Sequence, residues 1–137
     1  MAVIGIGIDV VDVARAQAML TPHRRRVLER LLTTEERAYV SKMRHPARHL
    51  AVRLAAKEAV YKAFQALPEA RAIGWRDIEV RRNADGRPVV ELTGLAGAIF
   101  EGLSEPRIHL SLSHSDLSGV AMAVLESAGP GPGLGGL

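Results

Sequence analysis

The run Arg53-Leu54-Ala55-Ala56-Lys57-Glu58-Ala59-Val60-Tyr61-Lys62-Ala63-Phe64 contains neither glycine nor proline and is built from strong helix formers. It predicts a helix, and its alanines mark that helix as a buried one. At about 100° per residue, Leu54, Glu58, Tyr61, Lys62 and Gln65 share one side, with Arg53 and Lys57 one turn apart on its flank. A carboxylate therefore stands among three long cations on a helix that packs inside. Such charge is costly to bury unless it is paired or binds something. Taken alone, Glu58 and Lys62 make an i, i+4 surface pair worth about 0.2–0.5 kcal/mol. A chemical role needs matching groups from elsewhere in the chain.

A chain of 137 residues suits one domain with one core. That domain is expected over residues 1–127, followed by a Gly/Pro-rich tail, 128–137, that cannot bury enough surface to order itself. Hydrophobic residues make up 47% and charged ones 24%, which excludes a disordered chain. Without cysteine there are no disulfides or thiolate metal sites, in keeping with a reducing compartment. The start, Met1-Ala2-Val3-Ile4-Gly5, lacks the charged and long apolar regions of a signal peptide. No apolar run approaches the roughly 20 residues that span a bilayer. The expectation is a soluble, cytoplasmic protein with no membrane partner.

Net charge is only +3, but Arg24, Arg25, Arg26 and Arg30 cluster in one short segment with Glu29 as the sole acid. The cluster is either a solvated helix face or a patch for phosphate or an acidic partner. A non-catalytic module binding nucleic acid through Arg24 to Arg30 is the alternative function. Against it, aromatics are 4% of the chain, too few for stacking platforms, and no basic-region or zinc-finger pattern occurs.

Val3 to Val10 reads as a strand, with Val3, Gly5 and Gly7 on one face and Ile4, Ile6, Ile8 and Val10 on the other. Glycines opposite an isoleucine row imply that a ligand or another backbone comes close. Asp9, at the strand's end, either caps the next helix or holds a cation. Short helices are expected over Asp12–Leu20, where Arg15 and Met19 share a face, and over His23–Leu32. Thr33 or Thr34 caps a third, with Glu35 and Glu36 in its first turn. The long helix runs from about Pro46 to Leu67. A hairpin follows, Trp75–Arg82 and Arg87–Thr93 around Asn83-Ala84-Asp85-Gly86, with Pro88 harmless at a strand start. Leu95–Leu103 is a short helix. Arg107–Ser113 and Gly119–Glu126 are the last strands, with His114 at the end of the former. Hairpins around central helices read as α+β, an antiparallel sheet with a long central helix and short ones.

Asp9, Glu58 with Lys62, and His114 are the groups with chemistry. Two carboxylates with room for waters make a poor zinc site but a good partial magnesium site, because that ion keeps waters and adds substrate phosphates. Flanking cations complete an anion pocket. The combination suits transfer or cleavage at a pyrophosphate.

Gly5-Ile6-Gly7-Ile8-Asp9, Arg53 to Ala63, the Asp85-Gly86-Arg87-Pro88 turn and His109-Leu110-Ser111-Leu112-Ser113-His114-Ser115 together resemble the holo-[acyl-carrier-protein] synthases, the small trimeric type of 4′-phosphopantetheinyl transferase. The resemblance runs from Val3 to about Glu126. It implies that coenzyme A gives its phosphopantetheine arm to a serine of an apo acyl carrier protein, leaving adenosine 3′,5′-bisphosphate, in the cytoplasmic setting of fatty acid biosynthesis. By that similarity Asp9 and Glu58 would hold Mg²⁺, and Glu58, directly or through a metal-bound water, would help remove the serine proton. Lys62 would contact the phosphates. Arg53, Pro88 and His114 would line the coenzyme A site. Arg15, Met19, Arg24, Arg26 and Arg30 would meet the acidic carrier protein. A homotrimer with active sites between subunits is implied as well. Lys57 is read instead as half of a structural ion pair. The chain departs from the pattern at Leu54 and His49, where phenylalanine is common. It also has Gln65-Ala66-Leu67-Pro68 in place of a Gly-Thr-Gly-like run.

Overall fold

The long helix α4 (Pro46–Phe64) is surrounded by the rest of the chain, and most of its side chains are buried, from Ala47 to Phe64. Proline suits its first turn, where a missing N–H loses no bond. In the computed structural model, which describes residues 1–129, α4 ends at Phe64, earlier than the sequence predicts. Leu67 precedes Pro68 and is held extended (φ −97°, ψ 124°), as a residue before proline prefers. Single-turn bonds from Gln65 N–H to the Lys62 carbonyl and from Leu67 N–H to the Phe64 carbonyl close the end.

Three antiparallel strands form the main sheet in the order β1 (Ala2–Asp12), β5 (Ser118–Ser127), β4 (Arg107–His114). One face lies on α4. A methyl group added at Gly7 or Gly5 would overlap the carbonyl oxygen of Ala59 or Ala63 on that helix. The close backbone implied by the two glycines is thus α4 itself. The alternation has one break. A register shift between Val3 and Gly5 turns Val3 onto the opposite face from the glycines, where it is exposed, while Ile4 packs on the core. Beyond the shift Ile6, Ile8 and Val10 point outward and are 61%, 58% and 56% exposed, with Met122 of β5 paired to Ile8 on the same face.

The first strand also runs further than expected. Pairing of Val11 with Gly119 and Asp12 with Ser118 carries it to Asp12, so Asp9 is an interior strand residue and caps nothing. Helix α1 (Val13–Met19) then starts without a side-chain cap. A 3-10 turn, Pro22–Arg24, leads into α2 (Arg25–Leu31). Helix α3 (Thr34–Lys42) opens on a reciprocal capping box between Thr33 and Glu36.

The hairpin is β2 (Ile78–Arg82) and β3 (Pro88–Leu92), turned at Gly86 (φ 86°). Trp75–Asp77 is a 3-10 turn rather than strand, because the Asp77 carboxylate accepts from Gly74 N–H at 3.3 Å and closes the chain on itself. Helix α5 (Gly94–Glu101) joins this hairpin to β4. Of the forecast tail, Ala128 and Gly129 are bonded to Ser104: Ala128 N–H donates to the Ser104 carbonyl at 2.8 Å, and Ser104 N–H to that of Gly129 at 3.2 Å. Residues 130–137 lie outside the described residues. No helix among the described residues is long and apolar enough to cross a membrane.

Candidate active site

Asp9 on β1 faces α4, on the same side as Gly5 and Gly7. The small glycines bring the strand against the helix, so Asp9 meets the turn that carries Glu58 and Lys62. Lys62 Nζ donates to Asp9 Oδ1 at 3.2 Å and to the Ile8 carbonyl at 3.0 Å. This replaces the i, i+4 pair that the sequence allows: Glu58 has no ion-pair partner among the described residues. Asp9, Glu58 and Lys62 line a cavity of about 340 Å³ with Val10, Val11, Arg15, Met19, Leu31, Leu54 and Trp75. Burial, then the Asp9 carboxylate, pushes the Glu58 carboxyl above the ordinary range, against the pull of Lys62 and Arg15. Two acids thus crowd one open cavity, and the lysine ammonium hydrogen-bonds only Asp9.

This donor set fits a hard divalent cation. Two carboxylate oxygens from separate elements, beside space for water, leave coordination positions for phosphate oxygens. Among the described residues no three His, Cys, Asp or Glu side chains cluster as metal ligands, so a zinc-type cage is not what the site offers.

Lys57, next to Glu58, has the opposite role. Its ammonium is fully buried, 2.7 Å from the equally buried Glu36 carboxylate. It also donates to the carbonyls of Trp75, at 2.8 Å, and Ile78. The other Glu36 oxygen accepts from Val80 N–H at 3.0 Å. The expected structural ion pair therefore fastens α3, β2 and the Trp75 turn to α4. Trp75 in turn walls the acid cavity and stacks on Tyr61, with ring centroids 6.3 Å apart.

Arg53, Pro88 and His114 are not in that cavity. They line a second one of about 420 Å³ with His45, Arg48, His49, Val52, Arg82 and Leu112. Helical geometry explains the separation: five residues along α4 put Arg53 and Glu58 about 140° apart. The acid cavity borders β1, one outer strand of the sheet, and the basic cavity borders β4, the other. Arg53 is buried, its guanidinium 4.0 Å over the Tyr39 ring, and its Nε has no hydrogen-bond partner.

Arg24, Arg26 and Arg30 are exposed and make no ion pair among the described residues, whereas Arg25 is tied to Glu29 at 3.2 Å. Arg15 and Met19 share a face as expected but belong to the acid cavity wall. Trp75, Arg82, His45 and Arg48 escaped sequence reasoning as cavity residues. The lone tryptophan was the one signal that could have singled out Trp75.

A model of the 4′-phosphopantetheinyl transferase superfamily matches residues 5–124. A holo-[acyl-carrier-protein] synthase of Geotalea daltonii is 38% identical over 122 residues, covering 89% of this chain and 97% of that protein. The solved acyl carrier protein synthase of Mycobacterium tuberculosis is 35% identical with a TM-score of 0.72, covering 92% of this chain and 99% of that one. A holo-(acyl-carrier-protein) synthase from Bacillus anthracis, solved in complex with CoA (3′,5′-ADP), is 32% identical with a TM-score of 0.70, covering 92% and 98%. The nucleic-acid alternative finds no support in these matches. Fold and sequence agree along nearly the whole described length, and the chain belongs to the 4′-phosphopantetheinyl transferase superfamily, among the holo-[acyl-carrier-protein] synthases.

Proposed function

We propose that the chain transfers the 4′-phosphopantetheine arm of coenzyme A to a serine hydroxyl of an apo acyl carrier protein, with release of adenosine 3′,5′-bisphosphate. The observation that carries this reading is the convergence of Asp9, Glu58 and Lys62 on one cavity, in a chain with a relative solved in complex with CoA. Asp9 and Glu58 would hold Mg²⁺, which when bound supplies charge neutralisation at the pyrophosphate. The half-exposed Lys62 side chain is free to turn from Asp9 to the phosphate oxygens and stabilise charge as the bond breaks. The serine oxygen attacks the phosphorus that carries pantetheine, and the bond to the bridging oxygen breaks. Its electron pair leaves with the adenosine bisphosphate, and the serine proton goes to Glu58.

Arg53, Pro88 and His114 serve as the coenzyme A half of the site in this reading. One chain keeps them on the far side of α4 from Asp9 and Glu58, so the reading includes a cyclic homotrimer in which the two cavities meet between neighbours. The exposed row Ile6, Ile8 and Val10 with Met122 is the surface available for such closure. Arg15, Met19, Arg24, Arg26 and Arg30 receive the acidic carrier protein, with the charges mainly speeding encounter. Residues 1–127 act as a single domain, in the cytoplasm.

The test is the intact mass of an apo acyl carrier protein after incubation with the chain, coenzyme A and Mg²⁺. The carrier is expected to gain one phosphopantetheine, with loss of the gain on chelation. An unchanged mass with several apo carriers, at full Mg²⁺ and coenzyme A, overturns the reading.

A further inference from the structure

Three imidazoles and three guanidiniums meet at the second cavity. His45, Arg48, His49 and Arg53 come from the start of α4, Arg82 from β2 and His114 from β4. His49 and Arg53 are spaced i, i+4 on one face of α4, and His45 is the residue just before its first turn. Among the described residues no carboxylate lines the cavity; Asp116 pairs with Arg48 at 3.1 Å. The His49 ring is half-buried, edge-on to Tyr39 of α3, with centroids 5.8 Å apart. Arg53 meets the same tyrosine, its guanidinium lying over that ring.

We propose that His49 is an anion-binding side chain of this cavity, taking up a proton when the phosphate groups of a nucleotide-bearing ligand such as coenzyme A enter it, so that ligand affinity is coupled to pH. The assignment rests on the transferase reading given above and adds to it a residue and a proton.

The physical basis is the charge imbalance of the empty cavity. Burial, then Arg53, Arg82, His114 and His45, lowers the proton affinity of His49 below its ordinary value. Above its depressed value His49 is neutral in the empty cavity. A phosphate dianion among the same cations reverses the local potential and favours the imidazolium. The complex then holds more protons than its separated parts. Affinity consequently rises as pH falls, by up to about tenfold per pH unit for each proton taken up.

Calorimetric titration of coenzyme A and of adenosine 3′,5′-bisphosphate into the full chain, in buffers of different ionisation enthalpy, counts that proton directly. His49→Phe keeps a ring against Tyr39 without a titrating group, and His49→Gln keeps a polar side chain. The ligand's own phosphates titrate alike against all three proteins, so the difference belongs to His49. Both variants are expected to bind with up to one proton fewer taken up. Their affinity gain from about pH 8 to about pH 6 should be smaller by up to about a hundredfold, the bound for one whole proton over two pH units. Equal proton uptake in wild type and both variants, with coenzyme A bound by all, overturns the role of His49 and leaves the transferase reading standing. Failure of the wild-type chain to bind coenzyme A at any pH overturns both.

Discussion

Lys62 reaches from the long helix to Asp9 on the first strand, its ammonium 3.2 Å from the carboxylate and 3.0 Å from the Ile8 carbonyl. The same ammonium lines the cavity that the proposed reading gives to the pyrophosphate. Lys62→Met should therefore lower the rate of phosphopantetheine transfer by about 10²-fold, the usual cost of losing one charge-stabilising donor. Coenzyme A affinity should change much less. Steady-state rates with an apo carrier protein check this, and a wild-type rate would remove Lys62 from the chemistry.

Glu58 sets a pH dependence of its own. Its carboxyl titrates above the ordinary range in the fold, through burial first and Asp9 second, so the native state holds this proton to higher pH than the unfolded chain does. Stability of the metal-free protein is then expected to fall as pH rises from the ordinary carboxylate value through the raised one. Thermal melting across that window should show the decline. Glu58→Gln should flatten it, and a divalent cation should oppose it.

The Lys57–Glu36 pair is fully buried, and burial lowers the proton affinity of Lys57 while Glu36 restores part of it. Lys57→Met strands a buried carboxylate and should cost about 3–5 kcal/mol in urea unfolding. The Lys57→Met, Glu36→Gln double variant should recover part of that loss. An unaffected unfolding midpoint in the single variant would contradict the pair's role in fastening the Trp75 turn.

Ile8, 58% exposed, lies in the middle of the outward apolar row. Ile8→Lys should leave the far-UV circular dichroism unchanged yet yield a monomer by sedimentation. Transfer should fall to background, because the acid and basic cavities would no longer meet. A trimeric, active Ile8→Lys would refute closure through this face.

Much of this was legible from the order of residues along the chain. The alanine-rich run announced a buried helix, glycines facing isoleucines announced a close backbone, and Asn83 to Gly86 announced the hairpin. The meeting of Asp9 with the Glu58 and Lys62 turn was implied only by the family resemblance, and the Lys62–Asp9 pair itself was not foreseen. What stayed hidden depends on pairing between distant strands. Asp9 and Asp12 both look like helix caps locally, and only the register with Gly119 and Ser118 shows that the strand continues through them. The shift that turns Val3 outward leaves no mark in the alternation. A helical wheel sets Arg53 and Glu58 about 140° apart, but which outer strand lies beside each follows only from the strand order.

At Gly5 and Gly7, peptide units of the first strand rest directly on carbonyls of the long helix. The spacing between the acid on the strand and the acid on the helix is therefore gauged by main-chain atoms. Swapping one aliphatic residue for another beneath the sheet, at Leu125 or Val60 for example, reshapes the interior without widening that gap. A substitution at either glycine acts like a shim between the two elements. It should spoil the grip on a shared ion even in a molecule that still folds.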